Sequence, residues 1–273
     1  MAKFDGILIC TDLDGTLIGS DQRISKENLD AIEYFKSEGG AFTFITGRVP
    51  TTAKALYEEV RPNVPIGCLN GGAIFDHLKG EYVWLSALCD GAFDVIDFVA
   101  ENMPDIGIQI NTPYNIYFSC NNESTEYFRS LTGVPNLEKH YRDMDEPITK
   151  VLFSSLEDER ILALAELLKT HPSYEGFDFI RSEATLYELL PKGNSKGAVM
   201  SRLVKYLGFD MNRTIAVGDY DNDVSMIRAA KIGFAVANAC DSAKKAADRI
   251  TVSNDEHAIA KIISELDSGD IIL

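Results

Sequence analysis

The residues best suited to chemistry form two acidic clusters that lie far apart in the sequence. One is DLDGT at residues 12–16, and the other is GDYDND at residues 218–223. Each directly follows a continuous apolar run of the kind that forms a strand buried on both faces. If these strands are neighbours in a parallel sheet, Asp12 and Asp219 meet at the carboxyl ends, where open α/β sheets bind ligands. Alone, the first cluster is equally typical of a solvated turn, and the second cluster favours a site.

A divalent cation is the expected partner of these carboxylates. Mg²⁺ prefers oxygen ligands and is commonly held by one or two carboxylates together with waters and a substrate phosphate. Asp12 and Asp219 supply such a set, and Asp223 is a further candidate. For Asp221 we favour a structural interpretation, in which its side chain caps the following helix.

Three further residues suit an anionic substrate. Thr46 and Gly47 end the predicted strand AFTFIT and offer a hydroxyl and an unhindered backbone N–H to a phosphate oxygen. Lys196 lies in the first turn of a predicted helix, where the macrodipole disfavours a cation. That placement indicates pairing with carboxylate and phosphate together, although a solvated surface lysine is the commoner case.

In chain order these pieces resemble the four motifs of the haloacid dehalogenase superfamily. The matching residues are DLDGT at 12–16, Thr46, Lys196 and GDYDND at 218–223. The resemblance is closer still to the Cof-type phosphatases of that superfamily. It rests there on the segments 70–72 (NGG), 192–197 (KGNSKG) and 235–248.

The resemblance implies a mechanism and a cofactor. Asp12 is the expected nucleophile, which forms an aspartyl-phosphate, and Asp14 is the expected acid and base for the leaving group and the hydrolytic water. Mg²⁺ is expected on the Asp12 side chain, the Asp14 backbone carbonyl and Asp219, with Asp223 orienting its waters. The residues expected to hold the phosphoryl oxygens are Thr46, Gly47, Lys196 and Asn222.

The surrounding elements predict an α/β fold with an insertion. Strands alternate with helices of ten or more residues near both ends of the chain, which predicts a doubly wound parallel sheet. Between about residues 79 and 186 the helices are interleaved with strands that alternate apolar and polar residues, which is typical of a sheet with one solvated face. We therefore expect a catalytic core of residues 1–78 plus 187–273 and an α+β cap of residues 79–186, with the active site where they meet.

Composition limits the partners. The formal net charge is −16, and it would repel a polyanion, so nucleic acid is not expected. The five cysteines are scattered and form no C-x-x-C pair, which is typical of buried thiols in a reducing cytoplasm. No stretch approaches the roughly 18 apolar residues of a membrane span, and the N-terminal apolar run is too short for a signal peptide. We expect a soluble cytoplasmic monomer or weak homo-oligomer that acts on a small phosphorylated metabolite, with sugar phosphates as the first choice.

Two alternatives to a phosphatase remain open. A phosphomutase shares the nucleophile and the acid but excludes water from the aspartyl-phosphate, and a phosphometabolite-binding regulator would lack catalysis. One segment departs from the family pattern, since Asp255-Glu256-His257-Ala258 stands where an acidic-Gly-Val stretch is expected. His257 is therefore a weak functional candidate, and the other histidines show no metal-ligand spacing.

Overall fold

The strands and helices described here are those of a computed structural model, which describes residues 2–273. The strands are β1 Leu8–Thr11, β2 Ala41–Phe44, β3 Ile66–Cys68, β4 Ala73–Asp76, β5 Glu81–Leu85, β6 Gly107–Asn111, β7 Ile116–Cys120, β8 Leu137–Glu138, β9 Lys150–Ser154, β10 Phe177–Glu183, β11 Leu186–Pro191, β12 Thr214–Gly218, β13 Ile232–Ala235 and β14 Arg249–Ile250. The helices are α1 Lys26–Ser37, α2 Lys54–Val60, α3 Ala92–Asn102, α4 Glu123–Thr132, α5 Asp158–Leu168, α6 Lys196–Leu207, α7 Val224–Ala229, α8 Asp241–Ala246 and α9 Ala258–Ser268.

The chain forms two compact units. The first comprises the described residues up to Gly47 together with Lys54–Trp84 and Ser195–Leu273, and the second comprises Arg48–Ala53 and Leu85–Asn194. These boundaries differ from the expected 79 and 186. Residues 81–84 belong to the first unit because β5 is the third strand of a sheet ordered β3-β4-β5, and β11 belongs to the second because it pairs with β9 and β10.

The first unit contains a parallel five-stranded sheet of order β14-β13-β12-β1-β2, which confirms the predicted α/β class. On one face, Leu8 and Ala216 pack with Val199 and Leu203 of α6. The residues of β1 and β12 that point to the opposite face, such as Ile9, are also fully buried. Burial on both faces explains why these strands are continuous apolar runs in the sequence.

The second unit contains a six-stranded sheet of order β10-β11-β9-β6-β7-β8, antiparallel except between β7 and β8. Helices α3 and α5 contribute to its apolar core, through residues such as Val95 and Leu164. The expectation of one solvated face is wrong for the central strands, because β6 and β9 are buried at every residue. Buried polar side chains of this sheet pair with each other, as in the ion pair of Lys150 in β9 with Glu188 in the neighbouring β11 at 2.7 Å.

Two further expectations from the sequence concern the cysteines and membrane-spanning helices. All five cysteines are free thiols, but Cys89 is exposed, so the expectation that all five are buried is wrong. None of the helices described for residues 2–273 has the length and apolar character needed to cross a membrane.

Candidate active site

The parallel register of β1 with its two neighbours brings the sequence motifs together. Thr11 is paired with Val217 of β12 on one side and with Phe44 of β2 on the other. The residues that follow these strand ends are Asp12, Asp219 and Thr46, so all three lie at one edge of the sheet. This is the carboxyl edge, at which open α/β sheets bind ligands.

A buried lysine links two of the carboxylates. Nζ of Lys196 lies 2.7 Å from Oδ1 of Asp12 and 2.7 Å from Oδ1 of Asp223. Lys196 is the first residue of α6 and so lies in the first helical turn, as predicted, and its side chain is 1% exposed, so it is not a solvated surface lysine. The other oxygen of Asp223 accepts hydrogen bonds from the backbone N–H groups of Asp219 and Tyr220. Asp223 therefore fixes both the lysine and the turn that carries Asp219.

The turn at residues 13–17 determines where Asp219 lies. Thr16 donates its hydroxyl to Oδ1 of Asp219 at 2.7 Å. Gly15 has φ of +75°, and a Cβ at that position would lie 2.5 Å from Oδ2 of Asp219. Only glycine combines this backbone conformation with so close an approach of a carboxylate. Asn238 holds the same turn by donating its side-chain amide to the Gly15 carbonyl at 2.8 Å.

The carboxylates perturb each other strongly. Burial, followed by the charge of Asp223, raises the pKa of Asp12 well above its ordinary range despite the opposing effect of Lys196. Burial and Asp223 likewise raise the pKa of Asp219 to about 7. For Lys196, burial favours the neutral form, but Asp12 and Asp223 outweigh it and raise its pKa. The half-buried Asp14 contributes to the shifts of both Asp12 and Asp219, so its charge lies close enough to act on both.

A divalent cation fits the residues present. Within residues 2–273, the set of His, Cys, Asp or Glu side chains close enough to share an ion is Asp12, Asp219 and Asp223, whose ligand atoms lie within 4.8 Å of one another. Three carboxylates beside the single ammonium of Lys196 leave two negative charges without a partner when all are ionised. An all-oxygen donor set with that charge suits Mg²⁺.

The expected phosphoryl-binding residues lie beside this cluster or next to its members. Thr46 is 1% exposed and follows β2, while Asn222 is buried between Asp221 and Asp223 of the second acidic motif. Asn222 donates its side-chain amide to Oδ1 of Asn70 at 3.1 Å. Asn70 was not among the predicted site residues, although the segment Asn70-Gly71-Gly72 carried part of the family resemblance.

Two other sequence interpretations change. Asp221 does not cap the helix through a backbone N–H; its carboxylate accepts a hydrogen bond from the Ser242 hydroxyl instead. Residues 255–258, which differ from the family pattern, lie next to the loop that follows the first acidic motif. Asp255 accepts a hydrogen bond there from the backbone N–H of Ser20 at 2.7 Å. His257 is 42% exposed at its side chain and lies 3.8 Å from the Glu27 carboxylate. Its position gives no support for a catalytic role.

Known proteins resemble this chain over nearly its whole length. A family model described as haloacid dehalogenase-like hydrolase matches residues 9–263. Phosphatase YwpJ of Bacillus subtilis is 29% identical, with 95% of this chain and 99% of the relative covered. The 5-amino-6-(5-phospho-D-ribitylamino)uracil phosphatase YitU of the same organism is 28% identical, with 94% and 96% covered. A crystal structure of a haloacid dehalogenase-like hydrolase from Bacteroides thetaiotaomicron is similar with a TM-score of 0.80 and 27% identity, covering 95% of this chain and 99% of that one.

Proposed function

This chain belongs to the haloacid dehalogenase-like hydrolases, and on that premise we propose that it is a phosphatase that cleaves small phosphomonoesters with Asp12 as the nucleophile. The observation that carries the proposal is the buried carboxylate of Asp12, which lies 2.7 Å from Lys196 and within a cluster of acidic oxygens. A carboxylate can attack an anionic phosphate only when nearby cations neutralise both groups. Lys196 supplies one such cation within this chain.

Mg²⁺ is the proposed cofactor. Asp12 and Asp219 would hold it together with the backbone carbonyl of Asp14, and Asp223 would orient its waters through the turn that it fixes. When bound, the ion neutralises the carboxylates and the charge of the phosphoryl group. Burial, and then the charge of Asp223, raise the pKa of Asp219 to about 7, and a bound cation would favour its ionised form.

The chain's own residues account for the bond changes. A carboxylate oxygen of Asp12 attacks phosphorus, an O–P bond forms to Asp12, and the ester P–O bond breaks. Asp14 gives a proton to the departing alkoxide and then takes one from the water that attacks the aspartyl-phosphate. That second attack breaks the Asp12 O–P bond and releases phosphate. Thr46, Gly47, Lys196 and Asn222 would hold the phosphoryl oxygens throughout.

The proposed substrates are small phosphorylated metabolites that carry a sugar or a polyol chain. YitU, named above, is described as acting on a phosphoribitylamino compound, and its alignment covers nearly the whole of both chains. The net charge of −16 would repel a polyanion and therefore supports a small ligand. We propose a cytoplasmic location on the basis of the scattered free cysteines.

The test is phosphate release from a panel of sugar, polyol and aryl phosphates, with Mg²⁺ and with excess chelator. We expect turnover that needs Mg²⁺ and that disappears in Asp12→Asn, since the amide preserves the shape but is a poor nucleophile. Asp221→Asn is the matched control from the second acidic motif and should retain activity, because its carboxylate contacts Ser242 and not the cluster. Activity of Asp12→Asn equal to that of Asp221→Asn would contradict the mechanism. An isomerised sugar phosphate in place of inorganic phosphate would identify a mutase.

A further inference from the structure

The turn at residues 69–71 adopts an unusual backbone conformation beside the proposed phosphoryl site. Leu69, Asn70 and Gly71 have φ of 60°, 52° and 96°, so three consecutive residues lie in the left-handed region. Glycine adopts this region readily and asparagine tolerates it, but leucine does so rarely. Leu69 and Asn70 are 0% and 1% exposed, so this strained turn lies in the interior of the protein. Strained buried backbone of this kind is retained where the surroundings require it.

The surroundings of this turn are the proposed phosphoryl-binding residues. The backbone N–H of Asn70 donates to the carbonyl of Thr46 at 3.1 Å. A Cβ at Gly47 would lie 3.1 Å from both polar atoms of the Asn70 amide, so the amide occupies the space that glycine leaves. On the other side, a Cβ at Gly71 would lie 2.1 Å from the carbonyl oxygen of Ser195, the residue before Lys196.

The side chain of Asn70 reaches the remaining phosphoryl-binding residue. Its Oδ1 accepts one N–H of the Asn222 amide at 3.1 Å, and this bond is buried. An asparagine amide nitrogen carries two N–H donors, so the second donor of Asn222 stays available for a phosphoryl oxygen. The structure leaves Nδ2 of Asn70 and Oδ1 of Asn222 buried without a hydrogen-bond partner, as is tolerated mainly where a ligand or water completes the network.

We propose that Asn70 is a positioning residue for phosphoryl binding, which holds Thr46, Gly47 and the Asn222 amide in register with one another. This inference rests on the proposed function, because it assigns Asn70 to the same phosphoryl site. Asn70 acts through its contacts with the Asn222 amide and with the backbone of Thr46.

The test measures orthophosphate affinity by titration calorimetry in Mg²⁺, together with KM and kcat. Asn70→Gly keeps the left-handed backbone and removes only the amide. It should weaken phosphate binding and raise KM by about tenfold or more, because the Asn222 amide would no longer be held to donate its hydrogen bond to the charged ligand. Asn222→Ala should have a similar effect, and adding Asn70→Gly to Asn222→Ala should change the affinity by less than about twofold, because the two amides act as one unit.

Asn63→Ala is the matched structural control. Its amide bonds the backbone at Phe42 and Gly40 beside the start of β2, so its loss should lower thermal stability without changing phosphate affinity. Wild-type affinity in a folded Asn70→Gly variant, or additive losses with Asn222→Ala, would overturn the assignment. If Asn70→Gly does not fold, the side-chain amide signal of Asn222 in ¹⁵N-labelled wild type serves instead: it should shift when phosphate saturates the protein, and an unmoved signal would refute the inference.

The outcomes separate this inference from the proposed function. Orthophosphate binding requires no turnover, so a wild type that binds phosphate and hydrolyses no ester refutes the function and leaves the role of Asn70 measurable. An active wild type whose phosphate affinity is unaffected by Asn70→Gly refutes only the role of Asn70. A wild type that binds no orthophosphate and releases none from any ester overturns both.

Discussion

Lys196 and Asp12 form a buried ion pair with 2.7 Å between Nζ and Oδ1, and the lysine is shared with Asp223. Neither side chain is more than 8% exposed. A buried pair is not by itself evidence of high stability, because desolvation opposes the Coulombic gain. Here the lysine lies beside more negative charge than it can neutralise, so the cluster favours the binding of a further cation.

Lys196→Met should abolish measurable phosphate release and lower the free energy of unfolding by about 3–5 kcal/mol, since two buried carboxylates lose their cation. Urea unfolding and a phosphate-release assay measure the two effects. Lys205→Met, an exposed lysine on the same helix, is the control and should leave both unchanged. Equal activity in the two variants would rule out a role for Lys196 in the reaction.

Asp14→Asn should slow hydrolysis of alkyl phosphates by about 100- to 10,000-fold, the usual contribution of a general acid or base. The defect should be smaller for aryl phosphates, because a good leaving group needs less protonation. Comparing kcat for one alkyl and one aryl phosphate measures this directly. An equal loss for both would mean that Asp14 is not the leaving-group acid.

Gly15→Ala should remove activity and weaken Mg²⁺ binding, because its Cβ would lie 2.5 Å from the Asp219 carboxylate. Gly208→Ala is a matched control, since Gly208 has φ of +73° and no atom within 4 Å of the added Cβ. Both variants should lose about 1–2 kcal/mol of stability from the left-handed backbone. Only Gly15→Ala should lose turnover and the thermal shift produced by Mg²⁺; an equal loss in Gly208→Ala would show that backbone strain alone is responsible.

In the metal-free protein, the contribution of Asp219 to the free energy of unfolding should fall as the pH rises from about 4 to about 7. The pKa of Asp219 is raised from 3.8 to about 7 in the folded chain, mainly by burial and then by Asp223. The folded state therefore holds the proton on the Asp219 carboxyl more tightly than the unfolded state does. The stability that this proton contributes is fully present below about pH 4 and is lost as the pH rises through about 7. Urea unfolding in chelator across this range measures the loss. Asp219→Asn should show a shallower decline, and parallel curves for the two proteins would contradict the assignment of the shift to Asp219.

Several features were predictable from the sequence because they depend on local pattern. Apolar runs predicted β1 and β12, and the helix that starts at Lys196 is confirmed, as is the α/β class. The acidic residues that end these strands had to meet once the strands were paired in parallel. The catalytic and metal-binding roles of Asp12, Asp14, Asp219 and Asp223 stay predictions until they are tested in solution.

Other features depend on segments that are distant in the sequence, and only the tertiary structure decided them. The pairing of β5 with β4 and of β11 with β9 decides which compact unit each strand joins, since strand partners are not encoded in local periodicity. The same holds for Asn70, an ordinary turn residue in the sequence until its amide is placed against Asn222. The role proposed for it depends on a contact between two loops, and the sequence of either loop alone does not show which residues will meet.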